Sequence, residues 1–160
     1  MATLHFICGK AGSGKTTLGR QIAREAPAVF ICEDEWLQKL APGISSVRQY
    51  VEATANIRRV IAPLTIQLLK LGTSVVFDFA GNTVRERAWV RAIVEAAGAA
   101  HVLHCLEVDE NTCWQRIEAR SAARPDGLFF GPVTRELFDE VTRYLVAPSS
   151  GEGFHVQVHR

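Results

Sequence analysis

A glycine-rich segment near the start of the chain, Gly9–Thr16, limits the possible folds more than any other feature of the sequence. It reads GKAGSGKT and follows a short apolar run, Thr3–Cys8, which is typical of a buried strand. Apolar side chains recur on one face of the next segment, Lys15–Glu25, and predict a helix. Glycines permit the backbone turns that direct successive N–H groups at an anion, and the first turn of a helix adds partial positive charge. Strand, glycine-rich turn and helix in this order predict a phosphate-binding loop.

The same segment matches G-x-x-x-x-G-K-[ST], the Walker A pattern of P-loop nucleotide-binding proteins. In such loops the lysine, here Lys15, reaches the β- and γ-phosphates, and a hydroxyl such as that of Thr16 binds Mg²⁺. We therefore expect ATP and Mg²⁺ as cofactors. The residues expected to bind the nucleotide are consecutive: Gly9, Lys10, Ala11, Gly12, Ser13, Gly14, Lys15, Thr16 and Thr17.

Apolar runs and helical patterns alternate along the remainder of the chain. Further strands are predicted at Ala28–Cys32, Ser74–Phe79, Val102–Val108 and Phe154–His159. Helices are predicted from about Ser46 to Leu71 with a kink or split at Pro63, from the capping box of Thr83 and Glu86 to about Ala97, over Glu110–Ala123, and from Thr134 to about Val146. Several strands are apolar on both faces, so we expect an α/β fold with a five-stranded parallel sheet and helices on both sides. Because repeats and Gly/Ser linkers are absent from the sequence, residues 1–160 should form a single domain.

The charge balance and the lack of long apolar runs argue against several classes of protein. Lys and Arg total 18 against 17 Asp and Glu, a formal charge of +1, which disfavours electrostatic binding to nucleic acid or to an anionic membrane. No apolar run approaches the roughly 18–20 residues of a membrane span, and the first residues lack the pattern of a signal peptide. We expect a cytoplasmic protein that is a monomer or homodimer. The 4 cysteines form no C-x-x-C pair and are expected to be reduced, buried side chains.

Carboxylates follow two of the predicted strands, at the sheet edge where parallel α/β folds bind ligands. Asp78 ends the apolar run VVFD, and we expect it to hold Mg²⁺ together with Thr16, directly or through water. Glu33, Asp34 and Glu35 follow the second strand. One of these three carboxylates is predicted to orient an acceptor hydroxyl for attack on the γ-phosphate. The alternative is that they only begin a helix, where acidic side chains are favoured.

Three arginines at four-residue spacing, Arg116, Arg120 and Arg124, precede a loop at 125–132 that contains Gly and Pro. They are placed to clamp the phosphates of ATP if that loop closes over the site. A solvated helix face explains Arg116 equally well, whereas we expect Arg120 and Arg124 to be functional.

The sequence resembles the small P-loop kinases of the AAA-type ATP-binding family, which include chloramphenicol phosphotransferase, zeta toxins, gluconate kinase and the kinase domain of polynucleotide 5′-kinase. The resemblance runs from Gly9 to the last strand and is most specific in FICGKAGSGKTTLGRQIA and in the later FICEDEW. It implies the P-loop NTPase three-layer sandwich, with strand order 2-3-1-4-5. In that order Asp78 should lie near Thr16, and the loop at 149–153 should lie under the adenine.

The resemblance also implies roles for particular residues. Asp34 matches the aspartate that acts as the base or orienter of the acceptor hydroxyl in these families. The segment RIEARSAARPDG looks like the start of a short lid, at about 120–133, whose arginines would be Arg120 and Arg124. The segment VVFDFAGNTVRERAW looks like the third strand and the turn after it, with three residues at the family's positions: Asp78, Asn82 and Arg85.

The sequence therefore predicts an ATP- and Mg²⁺-dependent kinase that phosphorylates a hydroxyl group of a small molecule. Its predicted catalytic residues are Lys15, Asp34, Arg120 and Arg124. The acidic run 33–35 suits a neutral or cationic acceptor, whose identity and metabolic, antibiotic-modifying or toxin-like role the sequence leaves open. One alternative is a nucleic-acid 5′-hydroxyl kinase, which would need a basic groove. Another is a switch protein that binds ATP and hydrolyses it slowly.

Overall fold

Five parallel strands form one sheet in the order β2-β3-β1-β4-β5. The computed structural model describes residues 1–123 and 133–160. The strands are β1 (Thr3–Cys8), β2 (Ala28–Cys32), β3 (Ser74–Asp78), β4 (Ala100–Leu106) and β5 (Val156–His159). The α/β fold class and the strand order 2-3-1-4-5 are both as predicted, and the predicted bounds of β1 and β2 are confirmed.

The helices are α1 (Lys15–Glu25), α2 (Glu33–Leu40), α3 (Val47–Lys70), α4 (Val84–Ala97), α5 (Glu110–Ala123) and α6 (Arg135–Arg143). They cover both faces of the sheet because successive strand residues point to opposite sides. Leu4 and Phe6 of β1 join the main core with Ile61 of α3, whereas Ile7 packs with Ile22 of α1 on the other face.

Two helical segments differ from the sequence-based expectation. The acidic residues after β2 begin a separate helix, α2, with Glu33, Asp34 and Glu35 in its first turn, where negative charge favours the helix dipole. α3 runs through Pro63 as one helix and is not split. Pro63 lies on the exposed face, where water can satisfy the carbonyl that loses its N–H partner.

The remaining differences are shifts of the ends of elements. β4 begins and ends two residues before the predicted run, because Ala100 already pairs with Thr3 of β1. α6 ends at Arg143 instead of Val146, since the backbone N–H of Val146 donates to the carbonyl of Asn82. The capping box of Thr83 and Glu86 is present and fixes the start of α4 directly after β3.

This topology places the candidate functional residues at one edge of the sheet. The glycine-rich loop follows β1, Asp78 ends β3, and α2 begins directly after β2. Because β2, β3 and β1 are parallel neighbours, their carboxyl ends lie side by side.

Candidate active site

The loop between β1 and α1 is closely packed against α5. Gly9, Gly12 and Gly14 have φ values of 153°, 75° and 101°, which L side chains rarely adopt. At Gly12 a Cβ atom would lie 2.4 Å from the carbonyl oxygen of Cys113. A glycine is therefore required at position 12 for both its backbone conformation and its contact.

Lys15 lies at the centre of this loop. Its Nζ donates to the carbonyl oxygens of Gly9 and Lys10, both at 2.8 Å. Burial lowers the pKa of Lys15, while the carboxylates of Asp78 and Asp34 oppose that shift. The ammonium group is thus fixed by the backbone of the loop and feels the negative charge of two carboxylates at neighbouring strand ends.

The donors around the loop fit a phosphate chain. α1 begins after Gly14 without a side-chain cap and without an acidic residue in its first turn. The first backbone N–H groups of the helix therefore have no side-chain acceptor and can bind an anion at this end. The hydroxyl of Ser13 is buried and has no hydrogen-bond partner among the described residues. Thr16 and Thr17 are exposed in the first turn of α1. By contrast, the side chain of Lys10 leaves the loop and donates to the carbonyl of Val108 at 3.2 Å.

A cavity of about 410 Å³ lies over the loop. It is lined by residues from the loop and from the ends of β2, β3 and α5: Gly12, Gly14, Lys15, Thr16, Thr17, Asp34, Asp78, Asn82, Arg116 and Arg120. The structure thus brings together the predicted nucleotide-binding lysine, both predicted aspartates and Arg120.

The two aspartates have different surroundings. Asp78 is buried, and one of its oxygens, Oδ2, accepts a hydrogen bond from the thiol of Cys32 at 3.3 Å. Burial raises the pKa of Asp34, as does Asp78, whereas Lys15 and Arg120 lower it. No cluster of three or more His, Cys, Asp or Glu suited to a metal occurs in the part of the chain that the structure describes. Mg²⁺ needs no such cluster, because phosphate oxygens and water supply most of its ligands, and Thr16 and Asp78 are suitable donors.

Arginines neutralise the other two carboxylates of the acidic run. Arg58 pairs with Glu33 through two bonds, Nε–Oε1 at 2.7 Å and Nη2–Oε2 at 3.1 Å. Arg20 pairs with Glu35. Asp34 makes no ion pair within residues 1–123 and 133–160, and it is the member of the run that has both a free carboxylate and a place in the cavity. Of the three carboxylates expected near the acceptor, Asp34 is therefore the one whose charge is not neutralised by an arginine in the described structure.

The predicted arginine clamp is only partly described. Nη1 of Arg116 donates to the carbonyl of Ser13 at 3.2 Å, which places it on the loop and not merely on a solvated helix face. Arg120 is exposed and lines the cavity. Arg124 and most of the lid expected at 120–133 lie outside the described residues.

A second cavity of about 410 Å³ adjoins the first and shares Glu33, Tyr50 and Ala80 with it. Side chains of α3 and α4 line most of it: Tyr50, Val51, Thr54, Arg58, Arg85, Glu86 and Trp89. Burial raises the pKa of Tyr50 to about 12, with Glu33 and Asp34 adding to the shift, so the phenol stays neutral beside the aspartate. Sequence reasoning missed this lining, although the i, i+4, i+8 spacing of Tyr50, Thr54 and Arg58 marks a polar helical face.

Arg87 is another residue that sequence reasoning missed. It is fully buried, and its guanidinium holds Glu152 through bonds of 2.6 and 2.9 Å. Its Nη1 also donates to the carbonyls of Gly81 and Val146. This arginine connects the start of α4 to the segment before β5.

A Walker A loop after the first strand of a 2-3-1-4-5 parallel sheet defines a P-loop nucleotide-binding fold of the kinase type. The chain belongs to a family described as an AAA domain, whose profile matches residues 4–148. This confirms the resemblance to small P-loop kinases. No curated protein sequence matches the chain.

Several solved structures share the fold at low sequence identity. A protein of Chloroflexus aurantiacus that is named as a candidate kinase has a TM-score of 0.79 and 16% identity, over 98% of this chain and 86% of its own. A gluconokinase of Sinorhizobium meliloti has a TM-score of 0.58 and 19% identity, over 98% and 82%. The APS kinase of Mycobacterium tuberculosis has a TM-score of 0.59 and 19% identity, over 89% and 96%.

None of the helices described is long and apolar enough to cross a bilayer.

Proposed function

We propose that this protein is an ATP- and Mg²⁺-dependent kinase that transfers the γ-phosphoryl group to a hydroxyl of a small molecule. The observation that carries the proposal is the placement of Lys15, Asp34 and Asp78 around one cavity that adjoins a second cavity and shares lining residues with it. The gluconokinase and APS kinase that share the fold support a small-molecule acceptor. Location in the cytoplasm and action as a monomer or homodimer stay predictions from the sequence.

Each residue of the first cavity has a chemical task in this proposal. Lys15 binds the β- and γ-phosphates and stabilises charge that develops on them. Thr16 and Asp78 would hold Mg²⁺, with Asp78 using the oxygen that Cys32 leaves free. When bound, the metal neutralises the phosphate oxygens. Arg116 and Arg120, and by the sequence pattern Arg124, would clamp the transferring group.

Asp34 receives the acceptor in this proposal. Its carboxylate orients the acceptor hydroxyl, whose oxygen forms the new bond to the γ-phosphorus as the bond to the leaving β-phosphate oxygen breaks. The hydroxyl proton passes to Asp34 late in the step, because a loose transition state needs positioning more than a strong base. The elevated pKa of this carboxyl suits it to hold that proton.

The second cavity is the proposed acceptor site. It adjoins the phosphate site at Tyr50, and its volume of about 410 Å³ suits a compact molecule. Its charges largely cancel, because Glu33 is paired with Arg58 and the lining also contains one further arginine and one further glutamate, Arg85 and Glu86. A polar acceptor with several hydroxyl groups and little net charge fits this lining best.

The experiment is a screen of hydroxyl compounds with ATP and Mg²⁺, in which ADP release is measured and the product is checked by mass for one added phosphoryl group. Polyols, sugars, sugar acids, amino sugars, nucleosides and a 5′-hydroxyl oligonucleotide represent the acceptor classes. Lys15→Ala should abolish transfer, while Lys39→Ala, which removes an exposed lysine of α2, should not. Acceptor-independent ADP release in every case would favour the switch protein, and transfer to the oligonucleotide alone would favour the nucleic-acid kinase.

A further inference from the structure

The side chain of Asn82 forms a two-point contact with the backbone of the phosphate-binding loop. Its Oδ1 accepts from the N–H of Gly9 at 2.9 Å, and its Nδ2 donates to the carbonyl of Gly9 at 3.0 Å. An amide side chain is well suited to this pairing, because it presents one acceptor and one donor in a single plane. Both polar groups of Gly9 are therefore fixed by a residue 73 positions away.

The Gly9 carbonyl that Asn82 holds is also an acceptor of Lys15. The distance from Nζ of Lys15 to this oxygen is 2.8 Å. The orientation of the Gly9 peptide therefore sets one of the two backbone contacts that hold the ammonium in the loop. Gly9 is closely packed, since a Cβ atom added to it would lie 2.7 Å from Ser13 Oγ and 3.2 Å from the Cβ of Leu106.

Asn82 is itself held firmly by its own main chain. Its N–H donates to Glu86 at 3.0 Å, as part of the cap of α4. Its carbonyl accepts from the N–H of Val146 at 2.8 Å. The buried guanidinium of Arg87 donates to the carbonyl of that same Val146. These contacts leave the amide of Asn82 preorganised for Gly9 before any ligand binds.

We infer that Asn82 is a positioning residue for nucleotide binding, which acts through the Gly9 peptide on the loop and on Lys15. Asn82 lies at the wall of the phosphate cavity, yet both polar atoms of its side chain are used on Gly9. The inference rests on the proposed function only in requiring that the loop binds a nucleotide. It adds a residue whose contribution is to the shape of the loop and not to a contact with the phosphates.

The test compares the dissociation constant for ADP in wild type, Asn82→Ala and Asn82→Ser, measured by calorimetry on the folded proteins. Two lost hydrogen bonds should raise the constant roughly tenfold for Asn82→Ala. Asn82→Ser, whose hydroxyl is too short to pair with both groups of Gly9, should show a similar loss and serves if the alanine variant folds poorly. Asn56→Ala, which removes an exposed asparagine of α3, is the matched control and should bind as wild type does.

Urea unfolding without nucleotide separates positioning from stability. A purely structural role would shift the unfolding midpoint and leave the ADP constant unchanged in the folded protein, and this result would overturn the inference. Equal ADP binding by wild type and both Asn82 variants would overturn it too, while leaving the proposed kinase function intact. A wild-type protein that binds neither ADP nor ATP would overturn both.

Discussion

Arg58 and Glu33 form a largely buried, two-point ion pair between α3 and the first turn of α2. The side chain of Glu33 is 5% exposed and that of Arg58 is 21% exposed. The guanidinium also lies over the rings of Trp89 and Phe79, with centroid distances of 5.3 and 5.8 Å. One arginine therefore neutralises a carboxylate of the acidic run and joins α2 to the wall of the second cavity.

Removing one partner of this pair should be costly. Arg58→Met would leave the carboxylate of Glu33 buried without a counter-ion, and we expect a loss of about 3 kcal/mol in the free energy of unfolding. Arg48→Met is the matched control, because Arg48 pairs with Glu52 on the exposed surface of the same helix. It should change stability by less than about 0.5 kcal/mol. Urea denaturation measures both.

The double variant Glu33→Gln/Arg58→Met separates the pair from the packing. It should recover most of the lost stability, since no uncompensated charge remains. A double variant as unstable as Arg58→Met alone would show that the contacts of the arginine with Trp89 and Phe79 dominate instead.

How much the sequence predicts depends on how local the interaction is. The phosphate-binding loop and the capping box of Thr83 were predictable because the residues that determine each are consecutive or within one turn. The pairing of Arg58 with Glu33 joins residues 25 positions apart, and that of Asn82 with Gly9 joins residues 73 positions apart. Nothing in the local pattern of either residue specifies its partner, so these contacts appear only once the sheet order brings the elements together.

The same reasoning explains the mixed result for the acidic run. The sequence shows that residues 33–35 are all acidic. Which of their carboxylates stays unpaired depends on arginines of α1 and α3, which are distant in sequence. Asp34 was named as the acceptor-orienting residue by resemblance, and the ion pairs of Glu33 and Glu35 now supply a physical reason that favours it. Local chemistry at Pro63 predicts a kink or a split; the split is absent, because packing of the α3 face that carries Ile57 and Ile61 stabilises one helix through this position.

Asp34→Asn should separate nucleotide binding from transfer. The amide keeps the size of the side chain but cannot accept the hydroxyl proton, so we expect phosphoryl transfer to fall at least a hundredfold. The dissociation constant for ADP should change less than threefold, or by less than about 0.6 kcal/mol, because Asp34 is proposed to contact the acceptor and not the nucleotide. Glu35→Gln, which alters the adjacent exposed ion pair with Arg20, is the control and should retain transfer. If ADP affinity fell as far as turnover did, Asp34 would belong to the nucleotide site.

Gly12→Ala should abolish nucleotide binding. The added Cβ would lie 2.4 Å from the carbonyl of Cys113, and the residue would keep an unfavourable φ of 75°. Gly98→Ala is an informative control, because Gly98 has a φ of 61° at the end of α4 but open space around its Cα. It should lose about 1 kcal/mol of stability from backbone strain alone and bind ADP normally. Calorimetric titration with ADP, together with urea unfolding, distinguishes the two effects; normal ADP binding by Gly12→Ala would contradict the packing described for the loop.

Acidification should destabilise the protein through a row of histidines across β1, β4 and β5. Buried His104 shares hydrogen bonds with His5, Nε2 to Nδ1 at 3.0 Å, and with His159, Nδ1 to Nε2 at 2.9 Å. Burial, together with charge repulsion from the neighbouring His5, His159 and His155, lowers the pKa of His104 to about 4. The unfolded chain takes up this proton near pH 6.5, whereas the folded protein does so only near pH 4. The stability contribution is complete above pH 6.5 and is lost as the pH falls towards 4, by up to about 3 kcal/mol.

The test compares the pH dependence of the free energy of unfolding in wild type and His104→Gln. Burial raises the pKa values of Glu33 and Asp34, which act in the opposite direction on acidification, so the difference between the two proteins isolates the histidine. Between pH 6.5 and 4 the wild-type slope should exceed that of the variant by up to about 1.4 kcal/mol per pH unit. His155→Gln, at an exposed position just before β5, removes only the smallest contribution to the His104 shift and should change the profile far less than His104→Gln does. Parallel profiles for wild type and His104→Gln would show that His104 takes up its proton at the same pH in the folded and unfolded states.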